Sequence, residues 1–511
     1  MSGARGGALL WARRRPVLLL AAIAAAAALA DLGDLHRLEH ADAIVPVLVS
    51  LQRWTPFYWD QERYGMLIPL LALPVRDPLW NLLLQRALLV AAGLGATLLL
   101  ARHVLAGRDW PLAGALSAGA LLMLAPAPWR FEYLGDQPYG LSLALALAGL
   151  ALAEARGSQR PTPARVVAGL VLVVAAHWVN AGVGIVLLAL AAARAVADVA
   201  DGTPAADVRR RLGVDVALLV AGLAAGQGLL RLYPLLTGNE LRLDLGALPP
   251  AEWPRAWTAI LSRAAHEAAG WGAALAVASA TGVALLAALR PLRPRLAPAL
   301  VRAGALVAAA LAWALFAGTL RWVEANAFHW RYVAPSMLLV HLAALSLLAE
   351  PLARLRRVAR PAGAAALLFV PAAALAAYGA PSLARVRADL DVVAGAYTAD
   401  VLAARCDLVA GDYWTVWPAV WHATLVAREH GLDRRVYGLT HRANPTVPFW
   451  RDRPRGSLRI CRAAGDEAAA ERWLRDFRLW PARAVERRGT IDVLVAAPPE
   501  TGATSGTARA P

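Results

Sequence analysis

The sequence predicts an α-helical polytopic membrane protein of about eleven transmembrane helices, with a small α/β domain at its C-terminal end. Three observations carry this. Of 511 residues, 59% are hydrophobic and only 17% are charged, with a mean hydropathy of +0.48, which is too apolar for an ordinary soluble protein. Long apolar runs recur through most of the chain, separated by short polar loops. From about Ser382 the runs shorten and alternate with turn signals.

The long runs lie at 16–30, 80–101, 111–128, 139–153, 165–179, 181–197, 213–230, 271–289, 303–320, 333–349 and 361–379. A span needs about 20 apolar residues, so several of these are short for a crossing. Arg13, Arg14 and Arg15 precede the first run. Alternate loops then hold Arg102 and Arg108, Arg156 and Arg160, and Arg209, Arg210 and Arg211. The same alternation continues with Arg290, Arg293, Arg295 and Arg302, and with Arg354, Arg356, Arg357 and Arg360. The positive-inside rule is met at each turn, which predicts a cytoplasmic N-terminus and a C-terminal region outside the cytoplasmic membrane of a bacterium. The first run also has the form of a signal peptide ending in Ala28-Leu29-Ala30. The many spans that follow favour an uncleaved helix.

The net charge of +16 comes from arginine alone, because the chain contains no lysine. The arginines act as orientation signals rather than as a nucleic-acid surface, and lysine chemistry such as a Schiff base is excluded. By this reading residues 1–380 form the membrane domain, with a first external loop at 31–79. Residues 381–499 form the external α/β domain, and 500–511 a tail too polar to bury a core. Within the external domain "CDLVAGDYW" predicts a strand ending in a turn, and "TVWPAVWHATLVAREHG" a helix ending at Gly431. "RRVYGLT" and "TIDVLVAAP" predict further strands, and "DLD" at 389–391 a helix start. Cys406 and Cys461 are either one disulfide or two buried thiols, and the residues leave both open.

Chemistry collects in the loops predicted to face outward. The stretch from Glu39 to Gly65, "EHADAIVPVLVSLQRWTPFYWDQERYG", predicts an interfacial helix over 43–54, with Trp54, Tyr58 and Trp59 at headgroup depth. "WRFEYLGDQPYG" (129–140) carries Glu132 and Asp136, and "HWVN" (177–180) places His177 in a tight turn. "RWVEANAFHWRYVAP" (321–335) carries Glu324, Asn326, His329, Arg331 and Tyr332. A carboxylate can deprotonate a hydroxyl nucleophile, and arginine grips phosphate through its planar fork. Arg331 stands at an outer span end, where the orientation rule disfavours arginine.

Plainer roles compete at each position. An acid in an external loop is most often solvated, and Asp60 and Glu62 have Arg63 and Arg53 as partners. Arg331 has Glu324 within reach. Arg86 is expected to snorkel to headgroups and His341 to bond a neighbouring helix. No histidine or cysteine pair has zinc spacing, and "HEAAG" (266–270) lacks the second histidine of a zinc protease. An external transferase would have no nucleotide pool, and the chain has no glycine-rich phosphate loop, so its donor would come from the membrane.

This plan resembles the GT-C superfamily of integral membrane glycosyltransferases. The local carriers are "HADA" (40–43), "NAFHWRYVAP" (326–335) and "GDYWTVWP" (411–418). The resemblance implies a polyprenyl-phosphate-linked sugar donor, a glycan, lipid or protein acceptor, contact with membrane lipids, and no nucleic acid. It implies Asp42 as the general base or an acceptor-positioning carboxylate, Asp136 or Glu132 as a second acid, and Arg331 on the donor phosphate. His40, Trp54, Tyr58, Asp60, Glu62, His177, Asn326 and Tyr332 stand as further substrate-binding candidates. The paired Asp-Glu that some relatives place in the first loop is absent, since Ala43 follows Asp42. Asp60 and Glu62 therefore remain rival acids, and a divalent metal remains open. A transporter or lipid flippase would instead place acids or broken helices at mid-membrane and show related halves. A non-catalytic envelope assembly protein is the third reading.

Overall fold

The computed structural model describes residues 3–58, 65–105, 110–154, 161–237, 246–354, 359–432, 434–440, 457–463, 467–476 and 482–496. Trp59, Asp60, Glu62 and the tail 500–511 lie outside the described residues.

The chain opens with α1 (Gly3–Asp31), α2 (Ala41–Leu51), α3 (Leu67–Ala72), α4 (Pro78–Leu105) and α5 (Trp110–Leu124). A short α6 (Ala127–Arg130) runs into a π-helical turn, Phe131–Asp136, and then α7 (Tyr139–Ala153). Next come α8 (Pro163–Val179), α9 (Val183–Ala200), α10 (Ala205–Thr237), α11 (Trp253–Glu267) and α12 (Ala269–Ala288). They are followed by α13 (Leu296–Gly318), α14 (Arg321–Ala325), α15 (Ala334–Arg354) and α16 (Ala359–Tyr378). The last part holds α17 (Leu383–Ala394), α18 (Thr398–Ala403), β1 (Leu408–Ala410), α19 (Tyr413–Glu429) and β2 (Tyr437–Leu439). It ends with β3 (Leu458–Ala463), α20 (Glu467–Asp476), β4 (Ala482–Arg488) and β5 (Ile491–Ala496).

Each long apolar run in the sequence coincides with a helix. Among the described residues six helices are long and apolar enough to cross a membrane, or up to seven if a pair bent by 47° counts as one span. The chain is an integral membrane protein. Length alone does not reach the eleven crossings expected from the sequence. A helix rises about 1.5 Å per residue, so α5 and α7, with 15 residues each, fall short of a hydrocarbon core of about 30 Å.

The chain forms two compact units, one from Met1–Asp31 with Ala87–Pro381 and one from Leu32–Arg86 with Ser382–Pro511. In the first, neighbouring helices pair as α1 with α16, α16 with α5, α5 with α15, α15 with α13, and α13 with α9. The series continues through α10 and α8 to α7. Small residues let these backbones approach. A Cβ on Gly149 of α7 would stand 2.5 Å from the Gly169 carbonyl oxygen of α8, and one on Gly169 would stand 2.6 Å from that of Gly149. Arg302, expected in a loop, lies inside α13 and is buried, bonded to Asp201 at 3.1 Å and Glu350 at 3.2 Å. A guanidinium is tolerated there because it is paired. Helix α11, which no apolar run announces, buries Ala256, Ile260 and Ala264 on one face.

In the second unit α2 packs on α19. Ile44, Val45, Val47, Leu48 and Val49 share a core with Val416, Trp417, Val420 and Trp421. This corrects the interfacial helix expected over 43–54: a helix apolar on all sides is a core helix, not one lying half in headgroups. Ser50, Asn81 and Gln85 form a buried hydrogen-bonded cluster with separations of 2.8 to 3.1 Å that ties α2 to α4. The sheet has the order β2-β1-β3-β5-β4. Its left side is parallel and its right side, from β3 through β5 to β4, is antiparallel. Strands β3 and β4 were not visible in the sequence. Helix α19 follows β1 and ends where Gly431 turns with φ +66°. "DLD" sits well inside α17, which starts instead at the Ser382 cap. Cys406 and Cys461 are joined as a disulfide with Cα atoms 5.8 Å apart.

Candidate functional site

Asp42 occupies the first turn of α2, where the unsatisfied N–H groups favour an anion. Pro46 has no N–H, so it sends no helical bond back to the Asp42 carbonyl and loosens this turn. The side chain is buried, and its Oδ1 accepts a hydrogen bond of 2.5 Å from the Tyr413 hydroxyl. Tyr413 stands at the start of α19, held there because the Asp412 side chain caps the helix. The Tyr58 hydroxyl lies 2.6 Å from that of Tyr413. Burial first, then the proximity of Tyr58 and the Asp42 carboxylate, pushes the Tyr413 phenol well above its ordinary range.

His40 is the residue before α2, with its ring edge-on to Trp414 at 5.7 Å between centroids. Close to it in sequence, Glu39 receives Arg86 Nε at 2.6 Å and Nη2 at 2.8 Å, and His36 at 3.2 Å. Burial alone would push the Glu39 carboxyl up. The Arg86 charge and its paired hydrogen bonds, with help from His36, bring it down to about 2. Arg86 also donates to the Ala43 carbonyl. It is therefore a structural clamp on the turn that carries Asp42, not a side chain snorkelling to headgroups. Trp54 donates to the Met66 carbonyl at 2.9 Å, and the Tyr58 ring lies in the α2–α19 core. Two of the three expected aromatic anchors, Trp54 and Tyr58, are thus engaged inside this unit.

In the other unit the predicted 129–140 loop is helical. A π-turn, a local geometry that often marks functional positions, carries Glu132 and Asp136, and both are buried. Their carboxylate oxygens lie within 4.8 Å of each other, and Asp136 Oδ2 accepts from Gln137 Nε2 at 2.6 Å. Two hard oxygen donors at this spacing suit a divalent cation such as magnesium or calcium, but two donors alone do not complete a coordination sphere. Trp129 stacks on Trp330 at 4.6 Å, which sets this segment beside the turn holding Arg331.

That turn is strained. Ala327 and Phe328 have φ of 52° and 51°, a left-handed pair without glycine, of the kind held only where surrounding packing enforces it. Arg331 follows, buried, with Nη2 donating to Asn326 Oδ1 at 3.3 Å and to the Tyr332 hydroxyl at 3.2 Å. Glu324, its rival partner, bonds Arg255 instead. The structure thus gathers Arg331, Asn326 and Tyr332 into one group. His177 is held elsewhere: its Nδ1 bonds the Val173 carbonyl at 2.8 Å, its ring faces Gly184 and Gly222, and its Cβ and backbone face Gly226. His341 bonds the neighbouring helices as expected, accepting from Trp271 at 3.2 Å and meeting the Ser117 carbonyl at 2.8 Å.

Sequence reasoning missed Tyr413, Glu39 and Arg86 as parts of the site. The signal for Tyr413 was present in "GDYWTVWP", where an N-cap aspartate places the next tyrosine on the first helical turn. Arg86 could have been found by asking which acid would pair with an arginine inside an apolar helix.

No protein-family model matches the chain, and no curated protein matches it in sequence. Among solved structures, the chain is similar to ArnT from Cupriavidus metallidurans bound to undecaprenyl phosphate, with 13% identity and a TM-score of 0.47, covering 96% of this chain and 98% of that one. It is also similar to ArnT from Cupriavidus metallidurans in the apo state, with 14% identity and a TM-score of 0.42, covering 97% and 98%.

Proposed function

We propose that this chain is a membrane glycosyltransferase that moves a sugar from a polyprenyl-phosphate-linked donor to a hydroxyl acceptor at the outer face of the cytoplasmic membrane. The observation that carries the reading is Asp42: a buried carboxylate on a helix N-terminus, clamped at its turn by Arg86 and hydrogen-bonded by Tyr413. Burying such a group is costly unless it is paired or works. The acceptor hydroxyl attacks the anomeric carbon as its proton passes to Asp42. The bond from that carbon to the phosphate oxygen breaks, and its electron pair leaves with the polyprenyl phosphate. Arg331, pre-ordered by Asn326 and Tyr332, takes the phosphate charge, and a buried guanidinium is worth more there than in water. Asp136 and Glu132 act as a second acidic pair, able to take a divalent cation. His40 belongs with Asp42, and Trp54 and Tyr58 support its unit rather than touch substrate. The arginine pattern supports the outward placement of the C-terminal domain, and the Cys406–Cys461 disulfide fits an oxidising compartment.

The test uses the full chain in lipid nanodiscs with a panel of polyprenyl-phosphate sugars and glycan, lipid and peptide acceptors, reading release of polyprenyl phosphate. Asp42→Asn is expected to lower kcat by about 10² to 10⁴. Arg331→Ala is expected to weaken donor use by roughly 10 to 100-fold, the loss of one charge-assisted contact. Undiminished transfer by both variants defeats the assignment, and sugar movement across the bilayer without transfer favours a transporter.

A further inference from the structure

Asp42 and Tyr58 from the first loop and Tyr413 from far later in the chain meet inside one compact unit, with links of 2.6 and 2.5 Å. A phenol carries one proton, and an ionised carboxylate only accepts. Tyr413 therefore gives its proton to Asp42, and Tyr58 must donate to Tyr413. The result is a one-way chain, Tyr58 to Tyr413 to Asp42, in which each bond polarises the next. Among the described residues of this unit, Asp42 and Tyr58 face the Tyr413 hydroxyl, and His40 stands at the start of the Asp42 helix against Trp414.

Packing does not explain the hydroxyl. The Tyr413 side chain is wholly buried in the core that α19 shares with α2, and phenylalanine would fill that volume equally well. A buried hydroxyl costs free energy unless it is bonded, and here it bonds Asp42 on one side and Tyr58 on the other.

We propose that Tyr413 is a positioning residue for the transfer reaction, its hydroxyl, backed by Tyr58, holding the Asp42 carboxylate in one orientation and in its proton-accepting form. This rests on the reading of Asp42 as the base. It also makes the C-terminal domain a working part of the catalytic apparatus, because α19 supplies the hydroxyl that prepares a residue far earlier in the chain. A hydrogen bond given to a carboxylate favours its ionised form. Removing the bond must therefore raise the pH at which Asp42 takes up a proton.

The experiment is an infrared pH titration of the full chain in nanodiscs, with the Asp42 carboxyl band identified by its loss in Asp42→Asn. In Tyr413→Phe that band is expected to appear about one pH unit higher, and in Tyr58→Phe to shift the same way by less. With a polyprenyl-phosphate sugar as probe, Tyr413→Phe is expected to lower kcat by roughly 10 to 100-fold while the donor KM changes little. An Asp42 band that stays in place in Tyr413→Phe overturns the proposal. Should that variant fail to fold, an unmoved band in Tyr58→Phe overturns it equally. If the wild-type chain consumes no polyprenyl-phosphate sugar, the functional reading falls, and the infrared titration still decides whether Tyr413 governs Asp42.

Discussion

Arg86 and Glu39 form a two-pronged ion pair, nitrogen to oxygen at 2.6 and 2.8 Å, with both side chains only 1% exposed. The pair joins α4 to the segment just before α2, so it fixes the approach to Asp42. Breaking a buried pair by removing one partner strands the other charge and costs about 3–5 kcal/mol. Arg86→Leu and Glu39→Leu are each expected to lower the melting midpoint sharply, and the double variant to recover much of the loss. Thermal unfolding followed by tryptophan fluorescence checks this, and a double variant as weak as the summed singles would refute the coupling.

The same pair sets an acid limit. The Glu39 carboxyl has a folded value of about 2 against an ordinary 4.5. A depressed carboxylate gives stability that is complete above its unfolded value and is lost as pH falls toward the folded one. Stability should therefore hold above about pH 4.5 and decline between there and pH 2, by on the order of 3 kcal/mol. Glu39→Gln should be weaker at neutral pH and show a flatter profile across that window, as melting midpoints against pH will read.

The Gly149–Gly169 contact should not tolerate a methyl group. Gly149→Ala puts a carbon 2.5 Å from a backbone oxygen, which forces α7 and α8 apart and is expected to cost about 1–3 kcal/mol. Gly304→Ala is the contrast: nothing lies within 4 Å of its added carbon, so better helix propensity should leave it neutral or slightly stabilising. Equal melting points for the two variants would contradict the close approach.

Reduction or the paired substitution Cys406→Ala with Cys461→Ala opens a loop of 55 residues. The expected loss is about 2–4 kcal/mol, read as a lower midpoint for the C-terminal domain with the membrane helices unaffected. A midpoint unchanged by reductant would mean that the bridge does not constrain the unfolded chain.

The membrane helices were legible because hydropathy is a local signal. Long runs of Ala, Leu and Val leave no alternative to helix in lipid. Helix α11 was lost because its apolar residues, Ala256, Ile260 and Ala264, are sparse among arginine and tryptophan. Strand β3 was lost because Arg459 and Arg462, three residues apart, break the period-two pattern of its buried residues, and β4 because four of its seven residues are charged. The role of α2 was misjudged for a different reason. Its all-round apolarity was plain, but the partner that buries it lies far along the chain, Tyr413 being 371 residues beyond Asp42. Asp42, Arg331, Asn326 and Tyr332 were found as chemical types at plausible positions. Tyr413 was not singled out, because a tyrosine in an apolar helix looks like packing until its hydroxyl is seen bonded.

That long reach has a biosynthetic cost. The ribosome delivers α2 early, and α19 only after every candidate span of the other unit has been made. Until then that oily helix has only α3 and the start of α4 to lie against, and the face meant for α19 must be sheltered by a chaperone or by the bilayer itself. A nonsense codon anywhere before Tyr413 would leave that face bare, so truncated chains should be cleared by quality-control proteases even when their membrane helices have inserted correctly.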